Sequence, residues 1–480
     1  MKEIVLTTIN AKWIHPSLAL RLLKANLGSL ENSCEIIEFA LRQPLSEKLT
    51  PFLSNDAPPK ILGISVSIWN HLATIELLKE LNKIWNDNEF KKPIIILGGP
   101  EVSHLSKDAE IFKYADHVIR GDGEIAFREL CEEILGEESL AKTPRRQEEK
   151  EIKTAYHLYS DEDVARKLIY VESSRGCPFK CEFCLSSIEK KIYEFPLEPF
   201  LAEMDILIQR GVKTFKFLDR SFNTNIPRAL QIIEFFLAKI EHLSSLPSRS
   251  LRPLRLGENS SCDNPSMPFT VHFEMVHSLF PPELLQALTR FPPGTLRLEI
   301  GIQTLNPEVS ARIGRPSNPD KELAALKFLH ENTNAIVHAD LIAGLPGEDL
   351  ASFGRGFDRL WKILGDRHSD SHPEEIQLGI LKLLPGAPIE RHNRTFGMHF
   401  AQSPPYEIIE NNEICAADMK RIKNFARFWE ILVNRGMIVL QNKPIFDSFM
   451  KISDELYAYF GKNWGIDKHE LLEKIKKINI

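Results

Sequence analysis

Three cysteines fall within the stretch Ser173-Ser174-Arg175-Gly176-Cys177-Pro178-Phe179-Lys180-Cys181-Glu182-Phe183-Cys184. The C-x3-C-x2-C spacing follows an apolar, strand-like run, Leu168–Val171, so it sets three thiolates on one tight loop. Cysteine thiolates are the usual ligands of iron–sulfur clusters. Three of them hold three irons of a [4Fe–4S] cube and leave the fourth iron open. An open iron suits S-adenosylmethionine (SAM), whose amino and carboxylate groups can chelate it before an electron is passed on. A zinc site normally takes four ligands, and the further candidates, His157 and Cys262, are distant in sequence. Zinc, or three unrelated core cysteines, remain the alternatives to the cluster.

The run Ser-Ser-Arg-Gly-Cys-Pro-Phe-Lys-Cys-Glu-Phe-Cys-Leu-Ser-Ser resembles the cluster loop of radical SAM enzymes, in particular those with an N-terminal cobalamin-binding-type domain. The resemblance implies that Cys177, Cys181 and Cys184 ligate the cluster and that Phe183 packs near the SAM adenine. It also implies an activity: an electron from the reduced cluster cleaves SAM to methionine and a 5′-deoxyadenosyl radical, which abstracts hydrogen from the substrate. With cobalamin present, methyl transfer is the expected outcome, with ring rearrangement or cyclisation as the alternative.

Composition is compatible with that chemistry. The chain has 480 residues, room for two or three domains, with 43% hydrophobic and 26% charged residues. A net charge of −6 points neither to nucleic acid nor to an anionic membrane. Seven cysteines, three of them in one loop, argue against a disulfide framework and for a reduced, cytoplasmic protein. No apolar run is long enough for a membrane span, and Met1–Thr8 turns polar too soon for a secretory signal.

Elements must position the loop. Residues 1–135 alternate apolar runs (Ile4–Leu6, Cys34–Phe39, Ile61–Ser67, Pro93–Gly99, His117–Arg120) with helical patterns (Ser17–Leu27, Leu72–Trp85, and one after Glu124). Such alternation predicts a Rossmann-like, doubly wound parallel sheet, whose ligands bind outside the carboxyl ends of the strands. The loops expected on that rim include Asn10–Ser17, Ser65–Asn70, Gly98-Gly99-Pro100 and Gly121–Glu124. They resemble the loops that hold cobalamin's nucleotide tail, with Ser65, Gly98, Gly99 and Glu124 as candidate contacts. The cobalt-ligating Asp-x-His-x-x-Gly pattern of that family is missing, and His15 reads as a capping or core histidine rather than a cobalt ligand.

Residues 136–164 form a charged stretch expected to be a solvated linker. From 165 to 395 strands and helices alternate again, with strands expected at Leu168–Val171, Thr214–Asp219, Phe269–Phe273, Leu296–Ile300, Ala335–Ile342 and Ile376–Leu381. Helices are expected from about Pro199 to Arg210 and from Ile226 to Ile240. Six such units predict a partial (β/α)6 barrel with its chemistry on the carboxyl-end loops. His242–Pro268 reads as a flexible surface insertion. A small helical region follows over 396–480, helical from about Pro404.

Four further stretches lie at expected strand ends. Asp219, after the second strand, stands where the family meets the SAM amino group with a glutamate. Glu299 and Gln303 occur at even spacing, hence on one face of a strand, and resemble the residues that face SAM's ribose or methionine. Gly344 and Leu383 resemble positions that offer backbone to the adenine.

Two rivals bear on the function. A tRNA methylthiotransferase would place three more cysteines in the N-terminal half, which has only Cys34 and Cys131. An iron–sulfur redox sensor or electron carrier would hold a cluster without cleaving SAM, and would leave the Glu299/Gln303 and Gly344 motifs unused. The expected partners are a reductant such as flavodoxin or ferredoxin and a substrate that no motif names.

Overall fold

The computed structural model describes residues 1–53, 58–88, 90–136, 152–188, 192–245, 269–365, 374–440 and 444–478. Two compact units emerge, one from 1–171 with 196–214 and the other from 172–195 with 215–480. Cys262, most of the expected insertion and the charged run 137–151 lie outside the described residues.

In the first unit β1 (Ile4–Asn10), β2 (Cys34–Ala40), β3 (Ile61–Ser65), β4 (Ile94–Gly98) and β5 (His117–Val118) form one sheet in the order β2-β1-β3-β4-β5. All four pairings are parallel. β1 shows why helices cover both faces. Val5 and Ile9 join Leu78, Leu81 and Trp85 in one apolar cluster, whereas Ile4 and Leu6 join Leu20, Phe127 and Cys131 in another. The helices are α1 (Leu18–Ala25), capped by Ser17, α2 (Leu45–Leu53), α3 (His71–Asp87), α4 (Pro100–His104) and α5 (Glu124–Leu135). This is the doubly wound arrangement expected; α2, with Pro51 inside it, is an element the apolar pattern did not mark.

The described end of the charged stretch is ordered. α6 (Asp161–Arg166) starts with a reciprocal capping box between Ser160 and Asp163. Asp163 also accepts from Arg21 Nη2 at 2.7 Å, and the Arg21 Nη1 binds Glu38 at 2.8 Å. Burying Arg21 is tolerable because both carboxylates and the Tyr159 ring, 4.7 Å from the guanidinium carbon, receive it.

Beyond β6 (Ile169–Val171), β7 (Ser174–Arg175) pairs antiparallel with β8 (Tyr193–Glu194), and α7 (Leu197–Gln209) begins two residues before Pro199. The larger sheet comprises β9 (Thr214–Phe217), β10 (Thr270–Met275), β11 (Leu296–Gln303), β12 (Ile336–Ala343) and β13 (Glu375–Ile380), in the order β13-β12-β11-β10-β9. β10 to β13 pair in parallel. Their helices are α8 (Ile226–Ser245), α9 (Pro282–Leu288), α10 (Pro307–Arg312), α11 (Pro319–Asn332) and α12 (Leu350–Leu364). One sheet face is apolar: Phe215, Phe217 and Phe273 pack with Phe222, Phe236 and Phe269. The alternate positions of β10 and β11 are half-buried and mostly polar.

The C-terminal region is not helical from Pro404. β14 (His399–Phe400) pairs antiparallel with β15 (Ile408–Glu410) before α13 (Ala416–Trp429), α14 (Phe446–Phe460) and α15 (Lys468–Lys476). Two prolines without N–H groups followed by two β-branched isoleucines favour an extended start. α13 and α14 pack on α12 through Phe357, Phe425, Trp429 and Phe446, and a Cβ on Gly354 would lie 2.6 Å from the Phe446 ring.

Asn70 staples the carboxyl ends of β1 and β3. Its side chain is fully buried, donates to Thr8 Oγ1 and the Ile9 and Ser65 carbonyls, and accepts from Ser67 N. Asn70→Ala is expected to cost about 2–4 kcal/mol in the first urea unfolding transition, because several buried polar groups lose their partner together.

Candidate functional site

The cysteine loop hangs from one buried carboxylate. Asp219, just past β9, is 1% exposed. Its Oδ2 accepts from Ser173 N at 2.9 Å, and its Oδ1 accepts from the hydroxyls of Ser173 and Ser174 at 2.6 and 2.7 Å. Burial pushes the Asp219 carboxyl above its ordinary range, and the bonds from Ser173 and Ser174 pull partway back. Arg228 of α8 donates to the carbonyls of Ser173 and Phe195, holding the β7–β8 turn against the same anchor. Asp219 therefore has its oxygens engaged by the loop itself.

The far side of the loop is clamped by α10 and the segment after β13. Glu182 N donates to the Ile313 carbonyl, and Ile389 N donates to the Glu182 carbonyl. The Glu182 carboxylate accepts from Arg391 at 2.9 and 2.6 Å and lies 2.9 Å from His392 Nε2. Gly314 has φ +70°, and a Cβ there would stand 2.5 Å from the Lys180 carbonyl, so only glycine lets the post-α10 turn press this close.

Within this clamp Cys181 is 7% exposed, while Cys177 and Cys184 are half-buried. Arg315 Nη1 donates to Cys181 Sγ at 3.4 Å, and its Nη2 donates to the Gly301 carbonyl. Burial pushes the Cys181 thiol up; Arg315 pulls it down, and Cys184 and Cys177 are close enough to push it up again. Among the described residues no trio of His, Cys, Asp and Glu converges on a single ion. Three neighbouring thiols beside a permanent cation form a donor set that fits a [4Fe–4S] cluster. His157, weighed as a distant fourth zinc ligand, lies in the first unit, 3.7 Å from Glu31.

β11 carries the next candidates and runs three residues further than its apolar pattern implied. Arg297, Glu299, Gly301 and Gln303 share the half-buried face. Gln303 sits at a register shift with φ +68°, a left-handed conformation that a non-glycine residue holds only against strain. A Cβ on Gly301 would collide with the Gln303 amide and lie 3.7 Å from Arg315 Nη2. Cys181, Arg315, Gly301 and Gln303 are thus neighbours.

Glu299 belongs to a different group on the same face. Its Oε2 lies 3.3 Å from both Lys216 Nζ and His272 Nε2. Burial opposes its charge, but His272 and Lys216 hold it below the ordinary range. Glu274 is pushed up by burial and by Glu299, with Arg220 at 3.8 Å as its counter-charge. His338 reaches Asp340 at 3.2 Å and Glu375 at 3.0 Å; these carboxylates overcome the burial penalty and push it up to about 10.

The remaining candidates have local partners. Gly344 is buried, a Cβ there would lie 2.7 Å from Ile408, and its carbonyl accepts from Asn411. Leu383 N donates to the Tyr406 carbonyl. Phe183, between Cys181 and Cys184 in the chain, is half-buried. Arg315, Arg391 and His392 went unmarked in the sequence, because single charged residues far from the cysteines carry no spacing signal, and Glu182, inside the loop, gave no sign of its distant partners.

In the first unit, the carboxyl-end rim exposes Trp13 and Ile14 after β1 and Trp69 and Leu72 after β3. Ser65 and Gly98 end paired strands, with the Ser65 carbonyl bound by Thr8 and Asn70. Gly99 has φ +101°, and a Cβ would meet the Val66 carbonyl at 2.6 Å, so loop packing requires this glycine. A Cβ on Gly98 would find its nearest neighbour 3.8 Å away, which leaves room at that strand end. Glu124 is buried at the start of α5. His15 Nδ1 lies 2.7 Å from the Tyr170 hydroxyl.

Comparison with known proteins adds the following. Residues 171–359 match the radical SAM superfamily, and residues 394–474 match a family described as a protein of unknown function (DUF4080). An uncharacterized methyltransferase, PH0819, from Pyrococcus horikoshii is 29% identical over 199 residues, 36% of this chain and 42% of its own. The 2-(S-pantetheinyl)-carbapenam-3-carboxylate methyltransferase of Streptantibioticus cattleyicolor is 24% identical over 386 residues, 73% of this chain and 51% of its own. The chain thus spans about half the length of the curated relatives it matches. The fold is like that of the radical SAM methyltransferase TsrM from Kitasatospora setae, solved with cobalamin and a [4Fe–4S] cluster. The TM-score is 0.58 at 16% identity, over 84% of this chain and 78% of that one.

Asp219→Ala strips three donors of the loop of their acceptor. It is expected to cost about 2–5 kcal/mol locally and to lower the iron and sulfide bound after anaerobic reconstitution, with the far-ultraviolet circular dichroism unchanged. Full iron content in that variant would remove Asp219 as the anchor.

Proposed function

We propose that the chain, whose residues 171–359 match the radical SAM superfamily, is a radical SAM enzyme that methylates or rearranges its substrate with cobalamin as second cofactor. The observation that carries the reading is the clamped loop that bears Cys177, Cys181 and Cys184, with the guanidinium of Arg315 on the most buried of them. When bound, the cluster supplies the electron for reductive cleavage of SAM, and cobalamin supplies a carrier for the methyl group.

The residues of the chain do the holding and the excluding. Asp219 fixes the entry of the cysteine loop, and Glu182 with Arg391 and His392 fixes its exit. Gln303, held in a strained conformation at the end of β11, presents a neutral amide beside Gly301 and is the strand-end group we assign to SAM. Phe183, on the loop itself, is assigned to the adenine. Glu299 lies lower on β11 in an ion pair with Lys216, so its part is to shape the polar face rather than to meet SAM directly. Gly344 and Leu383 support that wall through Ile408, Asn411 and Tyr406.

Cobalamin is assigned to the first unit on two grounds. A parallel sheet in the order 2-1-3-4-5 offers a carboxyl-end rim, and that rim exposes Trp13, Ile14, Trp69 and Leu72, apolar surface suited to a large macrocycle. Gly98 is the open backbone contact, and Ser65 and Glu124 flank it as polar ones. His15 is engaged by Tyr170, so cobalamin would be held without a histidine from this loop. The electron donor is a flavodoxin- or ferredoxin-type protein, and the place of action is the cytoplasm, where thiols stay reduced. Among the described residues no helix is long and apolar enough to cross a membrane.

The test is anaerobic reconstitution with iron, sulfide and hydroxocobalamin, then SAM and dithionite, with 5′-deoxyadenosine as the readout. Formation of deoxyadenosine is expected, together with cobalamin absorbance retained on desalting. Replacing Cys177, Cys181 or Cys184 singly by Ala is expected to abolish both the cluster and SAM cleavage. A loaded cluster without deoxyadenosine would replace the enzyme by a redox sensor; deoxyadenosine without retained cobalamin would free the first unit for another ligand.

A further inference from the structure

Arg315 is the one cation among the described residues that donates to a cysteine sulfur of the loop. The turn after α10 leaves it little freedom. Its backbone N–H donates to the Ser310 carbonyl at 3.0 Å, and the Ser310 hydroxyl donates to its carbonyl. The preceding Gly314 is pressed on Lys180 of the cysteine loop. The guanidinium is then forked, one arm on Cys181 Sγ and the other on the Gly301 carbonyl, and the Nε between them is buried without a partner. An exposed arginine seeking solvent would not be built into a backbone turn, pressed on the loop and divided between a thiol and a strand carbonyl.

From this geometry we infer that Arg315 is a positioning residue that sets the reduction potential of the cluster, by directing a fixed positive charge and an N–H···S hydrogen bond at Cys181. This rests on the cluster ligation proposed above. Cluster reduction adds one electron from the external low-potential donor and no proton, so the cluster gains one negative charge. A guanidinium stays protonated throughout. Its charge and hydrogen bond therefore stabilise the reduced form more than the oxidised one, and hydrogen bonds to the sulfurs are among the levers that move such potentials. Cys181 is the most buried of the three ligands, so water screens this interaction least. The arm on Gly301 keeps the charge in place and links it to the strand end that carries Gln303.

The experiment is a mediated redox titration of the reconstituted full-length chain, without SAM, followed by electron paramagnetic resonance of the reduced cluster. Wild type is compared with Arg315→Lys and Arg315→Met, and iron and sulfide are counted for each. With clusters loaded in all three, the midpoint potential is expected to fall from wild type to Lys, which keeps the charge but loses the fork, and further to Met, which loses both. Equal potentials with intact clusters would overturn the inference. Loss of the cluster from both variants would also overturn it, giving Arg315 a role in assembly alone. Absence of a cluster from the wild type would instead defeat the ligation reading, which keeps the two failures distinct.

Discussion

The second unit depends on one constraint: a loop that must present three thiols cannot also bury its own backbone in a regular ladder. Each end of the loop therefore needs an outside partner. At the entry the partner is the carboxylate of Asp219, which takes a backbone N–H and two hydroxyls at once. Burying that carboxylate is costly, and three donors aimed at it are what make the cost bearable. At the exit the partners are the Ile313 carbonyl and the ion group of Glu182, Arg391 and His392. Cys177 and Cys181 are thereby bracketed by segments far away in the chain.

The division of the larger sheet into two faces follows from the same economy. Phenylalanines on β9 and β10 seal the sheet to α8, which fixes the alternate residues on the opposite face. That face holds Lys216, His272, Glu274, Glu299, His338, Asp340 and Glu375, acids interleaved with bases. Half-buried ion groups of this kind add little net stability. They do fix the positions of charges, with His338 kept protonated between Asp340 and Glu375 and Glu299 kept ionised beside Lys216.

The first unit solves a simpler problem with the same means. Asn70 ties two strand ends together, Gly99 lets the β4 turn close on Val66, and Trp13, Ile14, Trp69 and Leu72 stay exposed on the rim. The packing of α1 through Arg21 onto Glu38 and Asp163 draws residues after the charged stretch into this unit. A boundary drawn from charge density alone therefore ends the unit too early: the capping box of α6 sits inside a sequence that reads as solvated.

What the sequence determined by itself was periodic or clustered. Alternating apolar runs gave both parallel sheets, because burial on two faces leaves a hydrophobic signature in consecutive residues. The C-x3-C-x2-C spacing marked the cysteine loop, because three cysteines so close together in the chain stand out from the rest of the composition. The even spacing of Glu299 and Gln303 placed them on one face of β11. Tertiary structure alone decided which of these groups are free. Asp219 looks available in sequence but is taken by Ser173 and Ser174; Glu299 is taken by Lys216. Arg315, more than 130 positions from Cys181, becomes its neighbour only when α10 folds back onto the loop (|i−j| = 134). Such pairings leave no local trace, since a hydrogen bond between distant segments imposes no spacing on either of them.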